Sequence, residues 1–232
     1  MTTQTKLMTP KTIVRLAVVL LVVPLAPMII SGAWDWWEAW AYAIINILGF
    51  MISRVLAVRR HPDIIAERAR SMEMQDAKPW DKILSPMLAF GALIILIVAG
   101  ADKGFGWSTP FSLNAKLVSL VVIILGYAFG SWALIENRFF SGVVRIQTDR
   151  GHHVVTTGPY RLVRHPGYAG GLWTYLAMPV LFDSLWAFIP TVLLIGVLVL
   201  RTSLEDRTLQ AELPGYKEFT QKTRYRLLPG IW

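Results

Sequence analysis

Residues Gly158 to Gly171 read GPYRLVRHPGYAGG, a short turn-rich stretch set between two strongly apolar regions. It gathers two arginines, two tyrosines and a histidine where a chain passes from polar to apolar. Upstream lie the apolar runs that would hold it at a membrane surface. Downstream, a returning hairpin would bring a second polar patch, Arg201 to Arg207, back beside it. The two patches together are the place to look for one site at a membrane face.

Composition supports the membrane setting. The chain of 232 residues is 54% hydrophobic and only 16% charged, with ten tryptophans. Soluble domains average about 45–50% apolar residues and about 25% charged. With no cysteine, disulfides, thiol catalysis and thiolate metal sites are all excluded. The net charge of +8 does not call for nucleic acid, because lysine and arginine accumulate on cytoplasmic loops of membrane proteins and meet anionic lipid there.

Hydropathy marks out about six membrane segments. The first runs from Thr12 to Ser31, after a polar Met1 to Lys11. Pro24, Pro27 and its length speak for a retained helix over a cleaved signal peptide. The second runs from about Trp36 to Val58, behind a tryptophan cluster (Trp34, Trp36, Trp37, Trp40) suited to the headgroup level. A charged connector, Arg59 to Lys82, follows. Its Arg60-His61-Pro62 reads as a helix end, and an amphipathic helix is expected from Pro62 to Arg70. The third and fourth segments cover Ile83 to Gly100 and Leu113 to Ile135, the latter carrying Gly126-x-x-x-Gly130, a spacing that lets helix backbones approach. The last two, Tyr168 to Phe182 and Leu185 to Leu200, form a hairpin turning at Asp183-Ser184. At 1.5 Å per residue its first arm is only about 22 Å long, short for a hydrocarbon core of about 30 Å.

Basic residues fix an orientation for this scheme. With a cytoplasmic N-terminus, the Arg59–Lys82 connector, the Glu136–Pro166 segment and the Arg201–Trp232 tail all lie inside, and all are rich in lysine or arginine. The loops near Asp35, Asp102 and Asp183 lie outside with almost none. The expected fold is therefore an all-α integral membrane bundle, multi-pass, with both termini and the site facing the cytoplasm. It is one domain, 1–232, in which 1–135 supplies four helices and 136–232 the polar core.

Familiar catalytic motifs are missing: there is no Gly-x-Ser-x-Gly, His-Glu-x-x-His, Walker loop or Rossmann fingerprint. His152, His153 and His165 have no carboxylate or thiolate at a ligand spacing, which argues against a metal. His165-Pro166 breaks structure just before an apolar run, and Gly167, Gly170 and Gly171 allow a ligand or a helix close to the backbone. Tyr160 and Tyr168 can present rings to the same point. Arg201 and Glu205 share a helical face, and Arg201 follows directly on an apolar run, where a charge needs a polar cavity or an exit to the interface. An anchored headgroup loop and an ordinary ion pair account for these features equally well.

Taken together, GPYRLVRHPGYAGG, the hairpin, Arg201-x-x-x-Glu205-Asp206 and Pro214-Gly215-Tyr216 resemble the isoprenylcysteine carboxyl methyltransferase family, over roughly Gln147 to Trp232. The related membrane phospholipid methyltransferases share much of the pattern. The resemblance implies methyl transfer from S-adenosylmethionine to a lipophilic or prenylated substrate in contact with membrane lipid. It further implies a cofactor pocket made by Gln147, His152, His153, Val154, Val155, Tyr160, His165, Pro166, Gly167 and Tyr168. Glu205 would hold the cofactor's charged end, and Arg201 would meet the substrate. Relatives often carry Ser at the position of Gly167 and Glu at that of Asp206.

The chemistry suits these residues. A carboxylate attacking a sulfonium methyl needs alignment and a dry site, not a base, and an arginine grips a carboxylate bidentately. An amine acceptor would need a proton acceptor instead, Glu205 or His165. A phospholipid N-methyltransferase, a sterol-reductase-like membrane reductase and a non-catalytic transporter or scaffold are the rival readings.

Overall fold

The computed structural model describes residues 17–64, 66–68 and 76–232. The polar start, the first turn of the expected first segment, and the far end of the expected amphipathic helix, including Arg70, lie outside these residues. Those described are helical or irregular, without strands. A π-helical turn, Val18–Val22, leads into α1, Val23–Ser31. Pro24 and Pro27 explain the wide turn: each removes a backbone donor and crowds the carbonyl four residues back, which a π-turn relieves. There follow α2, Trp37–Arg60, α3, Asp81–Phe105, and α4, Leu113–Glu136. After two 3₁₀ turns come α5, Pro166–Leu181, α6, Phe188–Glu212, and α7, Tyr216–Lys222.

Helices α2, α3, α4 and α6 are each long and apolar enough to cross a membrane. Their outward faces carry Ile83, Phe90, Val118, Val192 and Leu193, all exposed. Apolar side chains are tolerated there if lipid covers them. The scheme of six crossings is thus matched in four full-length helices, with α1 and the 16-residue α5 shorter. Arg60-His61-Pro62 is indeed a helix end, with His61 as the C-cap of α2. One expectation needs correcting. The helix of the second hairpin arm does not stop at Leu200; α6 continues to Glu212, so Arg201 and Glu205 lie on a helix, as expected, but on one continuous with the apolar arm.

Helix contacts follow from small residues. Gly126 of α4 faces Gly170 of α5 so closely that a Cβ on Gly126 would sit 2.6 Å from the Gly170 carbonyl oxygen. Neither position has room for a side chain, as the Gly-x-x-x-Gly spacing leads one to expect. Beside this seam, Met28, Trp36, Ala39, Ile95, Leu96, Met178 and Phe182 form the main apolar core.

Charge collects at the two ends of the bundle. At one, Lys116 bridges Glu38 (2.5 Å) and Asp183 (3.1 Å). There too Asp102 accepts from the Ser108 amide (2.8 Å) and from the hydroxyls of Ser108 and Ser184 (2.7 and 2.6 Å). At the other end the connector after α2 is tied to the segment after α4: Asp63 accepts from Arg138 and Arg150, both at 2.8 Å, and Glu67 from Arg145 at 2.7 Å.

Candidate active site

At the second end, the irregular segment 137–165, the start of α5, and α6 and α7 enclose a cavity of about 280 Å³. All the residues that the resemblance assigns to cofactor or substrate line it: Gln147, His152, His153, Val154, Val155, Tyr160, His165, Pro166, Gly167, Tyr168, Arg201 and Glu205.

Two adjacent carboxylates on α6 divide the work. Asp206 is fully buried and holds the wall together. It accepts from Arg164 at 2.7 and 3.0 Å, from Arg226 at 2.9 Å, from Gln210 at 2.8 Å and from the Tyr216 hydroxyl at 3.2 Å. The His165 Nε2 lies 3.2 Å away. Arg164 donates also to the Thr223 and Arg224 carbonyls (3.0 and 2.6 Å), which clamps the C-terminal tail to the lead-in of α5. Burial, with the Asp206 charge beside it, raises the Tyr216 phenol well above its ordinary range, so it remains a hydrogen-bond donor. Asp206 itself does not line the cavity; Glu205 does.

Glu205 accepts from the Tyr168 hydroxyl at 2.5 Å. Tyr168 in turn accepts from Arg201, and its ring stacks on His165, 5.8 Å between centroids and 15° between planes. Arg201 is held from behind by Asp81, the first residue of α3. Its Nε donates to Asp81 Oδ1 at 2.6 Å, and its Nη2 to Oδ2 at 3.1 Å and to the Gly142 carbonyl at 3.1 Å. Asp81 further accepts from the Val144 amide at 2.6 Å. Asp81 takes the Nε–Nη2 fork of Arg201, so a substrate carboxylate would have to be met from the Nη1 side, which the Tyr168 hydroxyl shares. The order Asp81–Arg201–Tyr168–Glu205 makes Arg201 a support for Glu205.

Gln147 is held within the cavity wall. Its side chain is buried, donating to the Phe139 carbonyl at 2.7 Å and accepting from Arg150. Each of its side-chain polar atoms thus has one partner within the protein. His152 packs against Phe139, 4.6 Å between ring centroids, and its Nδ1 accepts from the Gln147 amide at 3.2 Å. Burial, helped by nearby His153 and arginines, pulls its pKa down to about 4, so the ring is neutral at pH 7. The extended stretch after it makes no backbone hydrogen bond through His153, Val154 or Val155 among the described residues. Tyr160 is buried, its hydroxyl accepting from Asn137 at 3.0 Å.

Sequence reasoning missed Asp81, Arg68, Phe139 and Phe140. Asp81 reads as one more charge of the connector ahead of the third segment, and Arg68 as a cytoplasmic-loop charge. Phe139 and Phe140 sat in a polar segment without a marking neighbour.

Comparison with known proteins bears on this same region. Residues 117–211 match the model of the isoprenylcysteine carboxyl methyltransferase family. A probable protein-S-isoprenylcysteine O-methyltransferase of Oryza sativa subsp. indica is 33% identical over 108 residues, covering 45% of this chain and 56% of the relative. Protein-S-isoprenylcysteine O-methyltransferase A of Arabidopsis thaliana is 41% identical over 54 residues, 23% of this chain and 27% of the relative. The chain thus spans about half the length of the rice relative, and less of the other. From α4 through most of α6, the chain is similar to this family. The match begins earlier than Gln147, within α4, and stops short of Pro214-Gly215-Tyr216.

Proposed function

We propose that this protein is an integral membrane, S-adenosylmethionine-dependent methyltransferase that O-methylates the carboxylate of a lipophilic, isoprenylcysteine-like acceptor. The observation that carries the reading is the convergence of the motif residues on one cavity, with Glu205 facing into it and Asp206 turned away. It is supported by the family match over α4 to α6.

The lining suits the cofactor. At about 280 Å³ the space is near the lower end of ordinary small-molecule sites, about 300–1,000 Å³. Glu205 offers negative charge, favourable to a cation, and Tyr160, Tyr168 and Phe139 bring aromatic surface to the lining. The unpaired backbone of His153 to Val155 offers donors and acceptors to the edge of a flat heterocycle. S-Adenosylmethionine, when bound, supplies a methyl group on a positively charged sulfur. The protein's part is to bind, orient and exclude water. Tyr168, held by Arg201, fixes the Glu205 carboxylate at 2.5 Å, and Asp206 keeps the tail closed over His165. No side chain has to take a proton when the acceptor is a carboxylate, which agrees with a site whose carboxylates are all engaged in hydrogen bonds.

The six-crossing bundle, with both termini and this cavity on the cytoplasmic side, is part of the proposal. So is the division into four supporting helices and a polar core, although Asp81 shows the N-terminal part reaching the site. Cysteine labelling from outside at Leu185, an exposed position in the same turn, tests the orientation; labelling from the cytosol would reverse it.

Purified protein in nanodiscs should bind S-adenosylhomocysteine saturably, and Glu205→Gln should weaken this at least about tenfold, the scale of one charge-assisted contact. Binding of reduced nicotinamide in its place would overturn the methyltransferase reading in favour of a reductase. Methylation of a phospholipid amine, with none of an S-prenylcysteine acid, would overturn the carboxylate.

A further inference from the structure

A second cavity, of about 440 Å³, lies among α1 to α5, lined by Tyr42, Phe50, Leu93, Tyr127 and Tyr175 among others. Phe140 and Gly167 line both cavities. A Cβ on Gly167 would stand 2.8 Å from Cε2 and Cζ of Phe140, so the ring rests against the glycine. One aromatic ring therefore stands at the boundary between a polar space and a largely apolar one.

Two arginines flank that boundary. Arg68 lines the first cavity, its guanidinium 5.7 Å from the centroid of Phe140. Arg54, six residues before the end of α2, lines the second. Its guanidinium lies 4.4 Å over the ring of Phe50 and donates to the Ser53 hydroxyl at 3.2 Å. Among the described residues, no carboxylate comes within ion-pair distance of it. That sets it apart from its neighbours at this end of the bundle. Arg60, Arg138, Arg145, Arg150, Arg164, Arg201 and Arg226 each meet Glu136, Asp63, Glu67, Asp206 or Asp81.

A guanidinium within an apolar helix bundle is costly unless it faces a polar cavity or an opposite charge. Here it faces a cavity, and a like charge stands near: burial, then the charge of Arg54, draws the pKa of Arg68 down to about 10. An anion placed beside Arg54 would offset its charge and lessen its repulsion of Arg68.

We infer that Arg54, with Arg68 across the Phe140 boundary, seats the carboxylate of the methyl acceptor while its hydrocarbon lies in the apolar cavity. The inference rests on the proposed function for the identity of that anion. It assigns the charge recognition to α2 and the connector, and leaves Arg201 as a positioning residue for Glu205. An anionic phospholipid headgroup offers similar chemistry, so the experiment must separate the two sources.

The test compares binding of N-acetyl-S-farnesylcysteine with that of its carboxamide, in nanodiscs of neutral lipid. Wild type should prefer the acid by about tenfold or more, the worth of a hydrogen bond to a charged group. Arg54→Gln should abolish the preference by weakening the acid alone, Arg54→Lys should restore part of it, and Arg68→Gln should reduce it less. In turnover, Arg54→Gln should raise the KM for the acid with a smaller change in kcat, and S-adenosylhomocysteine binding should stay as in wild type. An unchanged acid-over-amide preference in folded Arg54→Gln overturns the inference. So does release of a co-purified anionic phospholipid by Arg54→Gln with the preference intact, which would make the site a headgroup seat. Should Arg54→Gln not fold, an unchanged preference in Arg68→Gln and Arg54→Lys overturns it too. Failure of S-adenosylhomocysteine to bind wild type would count against the proposed function, yet the acid–amide comparison would still decide on Arg54.

Discussion

The two ends of this bundle use charge in opposite ways. At the sparse end, Lys116, Glu38, Asp183 and Asp102 tie helix ends and loops to one another across 67 to 82 residues of sequence, along with one short link from Asp102 to Ser108. At the rich end, Asp63, Glu67, Asp81 and Asp206 hold arginines that belong to distant parts of the chain, and together they frame a cavity. The same kind of ion pair serves as a fastener in one place and as scaffolding for a site in the other. Glu205 and Arg54 stand out because that scaffolding does not absorb them.

The sharpest way to break the contrast is at Asp81. Removing it leaves Arg201 buried without a counter-charge, and losing one partner of a buried pair costs about 3–5 kcal/mol. Asp81→Ala should therefore lower the unfolding temperature strongly. Adding Arg201→Met should recover much of the stability without recovering S-adenosylhomocysteine affinity, because Tyr168 and Glu205 have lost their support. A double variant that bound the ligand normally would show the rich end to be a fastener too.

Lys116→Met probes the sparse end. It leaves Glu38 and Asp183 without their shared cation, close to the end of the bundle where water has access, and should cost about 1–3 kcal/mol. Ligand affinity should be unchanged once the protein is folded; a fall would join the two ends functionally.

The smallest effect is on pH. His152 has a folded pKa of about 4 against an ordinary 6.5, so its contribution to stability is complete above about 6.5 and declines as the pH falls toward 4. Protonation also ends the hydrogen bond from the Gln147 amide to Nδ1. Affinity for S-adenosylhomocysteine should weaken only as the folded ring itself takes up a proton, around pH 4, and His152→Asn should flatten that part of the profile. A wild-type profile flat through pH 4 would detach the loop from the site.

Much of this was legible in the residues, and the exceptions have physical causes. Leu113 to Ile135 was read as a span and is helical from Leu113 to Glu136, because an apolar run of that length has few alternatives in lipid. The reading of Leu185 to Leu200 stopped too early. Hydropathy ends at Arg201, but the hydrogen-bonded helix does not, since its polar residues find partners in the cavity wall. The site residues were legible only as a motif set. Asp81 and Arg201 are 120 residues apart in sequence, and no local pattern announces such a pair. Arg54 and Arg68 carried the sign expected of cytoplasmic flanks, and that bland explanation hid their position.

Gly167 has a consequence of another kind. Where relatives carry a serine, this chain has only a hydrogen atom, and the ring of Phe140 lies against it. Any side chain there would have to displace the far end of that ring, a flexible group that can swing aside. A single position thus sets how near that ring can stand to the partition shared by the two chambers. Exchanging glycine for serine would shift the partition and leave every other wall standing.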